Sequence, residues 1–232
     1  MINYIKLSYP PFPPSSQKEL MDRANRLAGF NLGELATWAN INIPLDLKKD
    51  KGWIGKLIEF CLGANTKSKA SRDFPHLNIE LKTLPIDENG IPIENTFICM
   101  INLINYHKTI WETSYLRYKI SKILWIPIEG SKDITLSMRR IGIPHLWILN
   151  LNKLEELILQ YDWESLMNLI VLGKIQSIYN FSGELIQISS KRKNHLSLTP
   201  AIDQNGKIIL VSPCGFYFKK SFTKKIIKSF FD

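Results

Sequence analysis

The sequence contains few cysteines, the residues that form the disulfides of small secreted proteins and that bind zinc. Its 232 residues include three cysteines, Cys61, Cys99 and Cys214, and no C-x-x-C spacing. An odd number of widely spaced cysteines argues against a disulfide scaffold and against a zinc knuckle. We therefore expect reduced thiols and a cytoplasmic protein.

Long apolar segments are also missing. No stretch approaches the ~20 residues that cross a bilayer. Prolines interrupt the first 14 residues, where a signal peptide would be continuously apolar. The hydrophobic content is nevertheless 45%, and a chain of this length can bury roughly 70% of its unfolded surface. We expect a soluble protein without membrane contacts, whose core needs neither disulfides nor a structural metal.

Several familiar catalytic motifs are absent. The four histidines share no H-x-x-x-H spacing, and neither G-x-x-x-x-G-K-[S/T] nor G-x-G-x-x-G occurs. G-x-S-x-G, the nucleophile motif of many acyl-transfer enzymes, is missing too. These absences argue against a histidine zinc centre, a nucleotide-binding loop and acyl-transfer chemistry.

Basic charge, in contrast, is abundant and unevenly placed. The formal net charge is +9, and residues 174–232 contain ten basic against three acidic side chains, so +7 of it lies in the last 59 residues. A polyanion is the natural partner of such a surface. Nucleic acid suits it better than a membrane, because the basic residues are spread over several elements. A solvated lysine-rich face explains the charge equally well.

Hydrophobic periodicity predicts a mixed α/β fold with a partly antiparallel sheet. Asn89-Gly90 predicts a turn that joins a strand at 77–84 to one at 96–103 in a hairpin. No linker is visible after residue 16, so we expect a single domain over 1–232, or two lobes sharing a core. The predicted helices are 16–29, 32–39, 52–63, 113–122, 152–172 and one from 221, and the further strands are 123–128, 145–151, 175–179, 184–189, 207–212 and 215–218.

Two acids and a lysine at the strand 77–84 have the spacing of a nuclease metal site. Glu80 and Lys82 project from one face of the strand, and Asp73 lies just upstream. Paired carboxylates can bind a hard divalent cation, and a neighbouring lysine can hold a phosphate oxygen or an attacking water. A surface ion pair explains the spacing equally well.

A further glutamate strengthens the metal-site interpretation. Glu59 interrupts the apolar run 57–62, and carboxylates are rarely buried unless they are paired or bound to a metal. Its partner is either Lys82, a metal ion or an arginine of the core.

The motifs occur in an order that resembles the MutH family of DNA mismatch-repair endonucleases. The resemblance runs over almost the whole chain, and its combination of motifs is far more specific than any one of them. It rests on Asp73 and on the segments KDKGWIG (49–55), LGA (62–64), IELKT (79–83), WETS (111–114), LWIPIEG (124–130) and GFYFKKSF (215–222).

This resemblance implies a fold and an activity. The fold would be restriction-endonuclease-like, with a mixed sheet flanked by helices. Two lobes would form a DNA-binding cleft, with the active site mainly in the N-terminal half and a basic DNA-binding lobe at about 174–232. The activity would be Mg²⁺-dependent nicking of the unmethylated strand at hemimethylated GATC, on the 5′ side of the G. The enzyme would act as a monomer on double-stranded DNA and would be activated by MutL.

The resemblance also implies roles for individual residues. Asp73 and Glu80 match the metal-binding acids, and the carbonyl of Leu81 would be a third metal ligand. Three more residues match catalytic positions of the family, Lys82, Glu59 and Lys119. Five residues match positions near DNA, Lys51, Phe97, Tyr217, Lys219 and Lys220. Tyr217 matches the position associated with sensing adenine methylation.

One position departs from the family pattern. Where the family has an arginine that reads DNA, this chain has Ser189, with Lys191 and Arg192 just beyond it. Either a nearby basic residue substitutes or base readout is altered. Two rival functions also remain: a restriction endonuclease that cuts both strands at GATC, and a DNA-binding protein without catalysis.

Overall fold

The computed structural model describes residues 11–64, 70–104, 106, 109–149, 153–192, 194 and 196–230. His107 and His195 lie outside these ranges. The chain divides into two compact units, Met1–Ile93 with Lys122–Trp147, and Glu94–Ser121 with Ile148–Asp232. The basic segment 174–232 lies within the second unit.

Both units contain helices and strands, which confirms the predicted mixed α/β class. The helices are α1 (Gln17–Leu27), α2 (Leu32–Ala39), α3 (Trp53–Leu62), α4 (Tyr115–Ile120), α5 (Lys153–Val171), α6 (Ile175–Tyr179) and α7 (Lys220–Lys228). The strands are β1 (Glu80–Ile86), β2 (Thr96–Met100), β3 (Lys122–Glu129), β4 (His145–Ile148), β5 (Ile186–Ser190), β6 (Thr199–Ile202), β7 (Ile208–Val211) and β8 (Cys214–Phe218). In the described ranges, no helix is both long enough and apolar enough to span a membrane.

The three helices of the first unit begin and end where the sequence predicts. Ser16 caps α1 by accepting a hydrogen bond from the Glu19 amide. Ser16 and Glu19 have the spacing of a capping box, but the Glu19 carboxylate accepts from the Ser15 amide, so the reciprocal bond is displaced by one residue. α3 ends at Gly63, whose φ of 76° is left-handed. A side chain there would also collide with the Phe12 carbonyl, so glycine is required.

The sheet of the first unit has the order β1-β3-β4. β1 and β3 run parallel, with Glu80 opposite Ile123 and Lys82 opposite Trp125. β3 is almost completely buried, as is typical of a central strand in a parallel arrangement. α1, α2 and α3 contribute most of the buried core that includes Ile79 and Leu81. This core supports the strand that carries the predicted site.

The predicted hairpin from β1 to β2 is wrong. The turn itself forms, since the Asp87 amide donates to the Ile91 carbonyl at 2.9 Å and Gly90 has a φ of 73°. However, β2 pairs with β8 in the second unit, while β1 pairs with β3. β1 also begins at Glu80 instead of residue 77, because Pro75–Leu77 forms a 3₁₀ turn.

The main sheet of the second unit has the order β2-β8-β5 and is antiparallel. Phe97 on β2 and Gln187 on β5 are both opposite Tyr217 on β8. Phe216 and Phe218 are buried, whereas Tyr217 is half-buried, as its alternation along the strand predicts. β6 and β7 form a separate antiparallel pair, of which β6 was not predicted.

Two helices of the second unit differ from the sequence expectation. Residues 175–179 form α6 instead of a strand. α5 has the predicted extent, but its buried face is formed by Leu159, Asp162, Trp163, Leu166 and Ile170. The apolar periodicity of 152–172 predicts that Leu154, Leu157 and Tyr161 also pack on the sheet, but they are 63%, 64% and 71% exposed.

A buried aspartate ties α5 to the sheet. Asp162 is 2% exposed, and its carboxylate accepts hydrogen bonds from the amides of Glu184, Leu185 and Ile186 at 2.8, 2.8 and 3.1 Å. Three backbone donors satisfy a charge that would otherwise be expensive to bury. The bonds fix the point where β5 begins.

Candidate active site

A short loop brings the two predicted metal-binding acids together. Phe74 and Ile79 form an antiparallel bridge, with amide-to-carbonyl hydrogen bonds of 2.9 and 3.2 Å in the two directions. Asp73 and Glu80 are the next residues outward on the two arms of this bridge. Residues this far apart along one continuous strand could not meet, so the loop is what makes the pair possible.

Each acid is held by a specific hydrogen bond. The Leu81 amide donates to Oδ2 of Asp73 at 2.7 Å. Lys82 Nζ donates to Oε1 of Glu80 at 2.8 Å, and the side chains of this ion pair are 17% and 4% exposed. The predicted sharing of one strand face by Glu80 and Lys82 is therefore confirmed. The Leu81 side chain points into the core and is 4% exposed.

Glu59 on α3 faces the same acids. Burial raises the pKa of Glu59 above its usual value, and the carboxylates of Asp73 and Glu80 raise it further. The ammonium groups of Lys82 and Lys56 act in the opposite direction. Four titratable groups therefore converge on one edge of β1, and Lys82, whose ion-pair partner is Glu80, acts on Glu59 through its charge. The partner of Glu59 stays a prediction.

The donor set suits a hard divalent cation. In the part of the chain that the structure describes, no group of three or more His, Cys, Asp or Glu residues is arranged to hold a metal ion. Asp73 and Glu80 alone provide two carboxylates, which is the usual protein contribution to a Mg²⁺ site, because this ion keeps several waters or phosphate oxygens. Cysteine does not compete for this role, since Cys61, Cys99 and Cys214 are all buried.

The remaining predicted catalytic and DNA-contacting residues occur in both units. Lys51 is exposed and precedes α3 in the first unit. Lys119 on α4 belongs to the second unit, is 4% exposed, and has its Nζ 5.9 Å from the centroid of the Tyr115 ring. Its catalytic role stays a prediction, as does the role of Lys51 in DNA binding.

Phe97, Tyr217 and Lys191 form a cluster on the sheet of the second unit. The rings of Phe97 and Tyr217 meet edge to face with centroids 5.4 Å apart. Lys191 Nζ lies 4.6 Å from the Phe97 centroid and 5.9 Å from that of Tyr217. Sequence reasoning noted Lys191 only as a neighbour of Ser189. Lys191 follows the end of β5, and its even spacing from Gln187, which lies opposite Tyr217, was the signal available for placing it beside the rings.

The two lysines after β8 have different environments. Lys219 is partly buried, and its Nζ donates to the carbonyl of Gly183. Lys220 is exposed, and its amide donates to Oδ1 of Asn95 at 2.8 Å. The ammonium of Lys220 is therefore presented to solvent, whereas that of Lys219 holds part of the fold.

Comparison with known proteins identifies the family. The family model "DNA mismatch repair enzyme MutH" matches residues 62–162, which include Asp73, Glu80, Lys82 and Lys119. A DNA mismatch repair protein MutH from Serratia proteamaculans is 48% identical over 225 residues, 97% of this chain and 98% of the relative. Those of Yersinia enterocolitica and Yersinia pestis are each 47% identical over 224 residues, 97% of both chains. The chain belongs to the MutH family of DNA mismatch repair endonucleases.

Proposed function

We propose that this mismatch repair endonuclease uses Mg²⁺ to nick the unmethylated strand at hemimethylated GATC sites. The observation that carries the proposal is the convergence of Asp73, Glu80, Lys82 and Glu59 at the start of β1, with hydrogen bonds of 2.7 and 2.8 Å holding the two acids. This arrangement explains why the family motif combines acids with a lysine at this spacing.

The acids and the lysine divide the chemistry between them. Mg²⁺, when bound, would lower the pKa of the attacking water and offset the charge that develops on the phosphate. Asp73 and Glu80 would hold the ion, with the Leu81 carbonyl as a third protein oxygen. The Leu81 amide holds Oδ2 of Asp73, which fixes the orientation of this carboxylate at the start of β1.

Lys82 orients the reacting groups. Its bond to Glu80 keeps the ammonium beside the acids, where it can hold the attacking water or a phosphate oxygen. The raised pKa of Glu59 suits a carboxylate that accepts a proton during the reaction, because its basicity is moved toward neutral pH. Lys119 on α4 is a further candidate for stabilising charge on the phosphate.

DNA binding is assigned to both units. Lys51 in the first unit and Lys220 in the second are exposed cations that can contact phosphates. Tyr217 and Phe97, with Lys191 beside them, offer an aromatic and cationic surface for reading the adenine. Lys191 is our candidate for the basic residue that replaces the missing arginine at Ser189.

The family resemblance supplies the rest of the proposal. It supports a cleft between two lobes, activation by MutL, action as a monomer and location in the cytoplasm. These statements can be tested separately from the chemistry, because none of them changes which bond is cut.

The test uses three GATC duplexes, hemimethylated, unmethylated and fully methylated, each with Mg²⁺ or with EDTA. We expect nicks in the unmethylated strands, no reaction on fully methylated DNA, and no product in EDTA. Addition of MutL should increase the rate. Concerted double-strand breaks would instead favour a restriction endonuclease, and DNA binding without any metal-dependent cleavage would contradict the proposal.

A further inference from the structure

A hydrogen bond between two side chains spans the loop that carries the acids. Arg72 directly precedes Asp73, and its Nη1 donates to Oδ1 of Asn78 at 2.8 Å. Arg72 is 6% exposed, and a charged guanidinium is rarely buried to this degree without a structural or functional reason. The bond joins the residue before the first acid to the segment that leads into the second.

Asn78 also has an unusual backbone conformation. Its φ is 58° and its ψ is 33°, in the left-handed region that most residues avoid. Asparagine tolerates this conformation better than most residues, and glycine tolerates it best. Glycine, however, would offer no oxygen to Arg72. Asparagine therefore meets two requirements at this position, the turn and the acceptor.

The loop has to work against electrostatic repulsion. Asp73 and Glu80 flank the Phe74–Ile79 bridge on its two arms, so the loop places two carboxylates side by side before any cation is bound. Like charges favour an open loop in which the acids separate. The Phe74–Ile79 bridge opposes this opening through backbone bonds. The Arg72–Asn78 bond adds a second cross-link, between the residue before Asp73 and the residue before Ile79.

We propose that Arg72 and Asn78 are positioning residues that set the spacing of Asp73 and Glu80 before the divalent cation binds. The inference rests on the proposed metal-dependent function. Neither residue needs to contact the ion, since both act through the acids. Loss of such supporting hydrogen bonds around a metal site typically lowers metal affinity by about 10-fold or more.

Variants at Asn78 separate positioning from charge and from backbone strain. Asn78→Gly keeps the left-handed turn and the Arg72 charge but removes the acceptor. Asn78→Asp keeps a side-chain oxygen that can accept from Arg72. Arg72→Met removes the donor of the same hydrogen bond. Arg23→Met is a matched control, because Arg23 is a second partly buried arginine of the first unit, and it bonds the carbonyls of Phe12 and Leu62 instead of a residue of the loop 73–80.

The experiment measures Mn²⁺ binding without DNA, from the electron paramagnetic resonance signal of the free ion, and the Mg²⁺ concentration for half-maximal nicking. In Asn78→Gly and Arg72→Met we expect the Mn²⁺ dissociation constant and the Mg²⁺ requirement to rise about 10-fold, with nicking restored at saturating Mg²⁺. Asn78→Asp should bind Mn²⁺ at least as tightly as the parent protein. Arg23→Met should melt earlier but bind Mn²⁺ normally.

Unchanged Mn²⁺ affinity in Asn78→Gly and Arg72→Met would overturn the inference. So would an equal loss in Asn78→Asp, or in Arg23→Met, because the effect would then follow from general loosening. If the unaltered protein bound no Mn²⁺ and nicked DNA in EDTA, the proposed function itself would fail, and this inference with it.

Discussion

Asp162 on α5 and Gly183 before β5 approach so closely that any side chain at residue 183 would overlap the Asp162 carboxylate. The carbonyl of Gly183 also accepts the hydrogen bond from Lys219. Gly183 therefore connects the helix, the start of β5 and the residue that follows β8. These interactions meet at one backbone position where glycine alone fits.

Removing the Asp162 carboxylate should destabilise the fold. Asp162→Ala leaves three amides without their acceptor, and we expect a loss of about 3 kcal/mol in the free energy of unfolding, measured in urea. Glu184→Ala, a change of an exposed neighbour, should change the free energy of unfolding by no more than about 0.5 kcal/mol.

Gly183→Ala should also destabilise the fold. Combining it with Asp162→Ala should cost less than the sum of the two single losses, because the clash disappears with the carboxylate. Additive losses would contradict the close approach of the two residues.

Lys82 should be needed for turnover more than for binding. In Lys82→Met we expect DNA affinity to persist while the rate at saturating DNA falls by orders of magnitude, since the ammonium acts in the transition state. Asp73→Ala and Glu80→Ala should behave alike through loss of the metal. Single-turnover nicking measures the rate at saturating DNA, and filter binding measures the DNA affinity. Weakened binding with an unchanged rate would make Lys82 a phosphate anchor.

Tyr217 should affect discrimination between methylation states. Its ring projects from the opposite sheet face to Phe216 and Phe218, so Tyr217→Ser removes little of the core. We expect the variant to nick hemimethylated and fully methylated GATC at more similar rates. The methyl group on adenine is displayed in the major groove, and the variant lacks the ring assigned to detect it there. Circular dichroism checks the fold. An unchanged ratio of rates in an active variant would remove Tyr217 from the sensing role.

The lysines after β8 should differ in what they contribute. Neutralising Lys219 and Lys220 together should weaken binding to all duplexes and reduce the slope of log K against log salt by about 0.9 for each phosphate that the protein no longer neutralises. Lys220→Gln should account for most of the change, whereas Lys219→Gln should mainly lower the melting temperature, because it removes the bond to Gly183. Lys132→Gln, at an exposed lysine of the first unit, is the matched control. Equal salt slopes in all three single variants would place the phosphate-binding residues elsewhere.

His145, at the start of β4, should make stability depend on pH. Burial lowers the pKa of His145 below its usual value of 6.5. The folded state thus binds fewer protons than the unfolded state, and the free energy of unfolding should fall as the pH drops below 6.5. In His145→Gln this decline should be shallower than in the parent protein. Urea titrations at about neutral pH and at several lower values compare the slopes, and parallel declines would exclude His145 as the cause.

Local sequence signals were sufficient for the first unit's helices. The Ser16 cap and the Gly63 terminus depend on neighbours within a few residues, so α1 and α3 could be located from sequence. The pairing of β1 with β3 could not, because a long stretch of chain separates them and the Asn89-Gly90 turn favoured the wrong partner. The prediction of a strand at α6 is wrong because the segment IQSIY is only five residues long, too short for its apolar pattern to distinguish a helix from a strand.

The same limit applies to the candidate site: features set by local geometry could be predicted from the sequence, and contacts that form only on folding could not. Glu80 and Lys82 share a face through strand geometry alone, and the interruption of an apolar helix singled out Glu59. The Arg72–Asn78 bond left no comparable trace, since arginine and asparagine are ordinary residues of a polar loop. Its importance depends on burial and on a left-handed φ, which emerge only when the chain is folded.

The route of the chain between the two units limits how the protein can be divided. The boundaries at 93/94, 121/122 and 147/148 mean that neither unit is one continuous segment. A fragment starting at residue 148 would lack β2, the edge strand of the β2-β8-β5 sheet, and would expose the main-chain groups of β8 that β2 covers. The acids proposed to bind the metal and the residues assigned to reading adenine must therefore be expressed as one polypeptide, because neither unit can be cut out of the chain as a single segment.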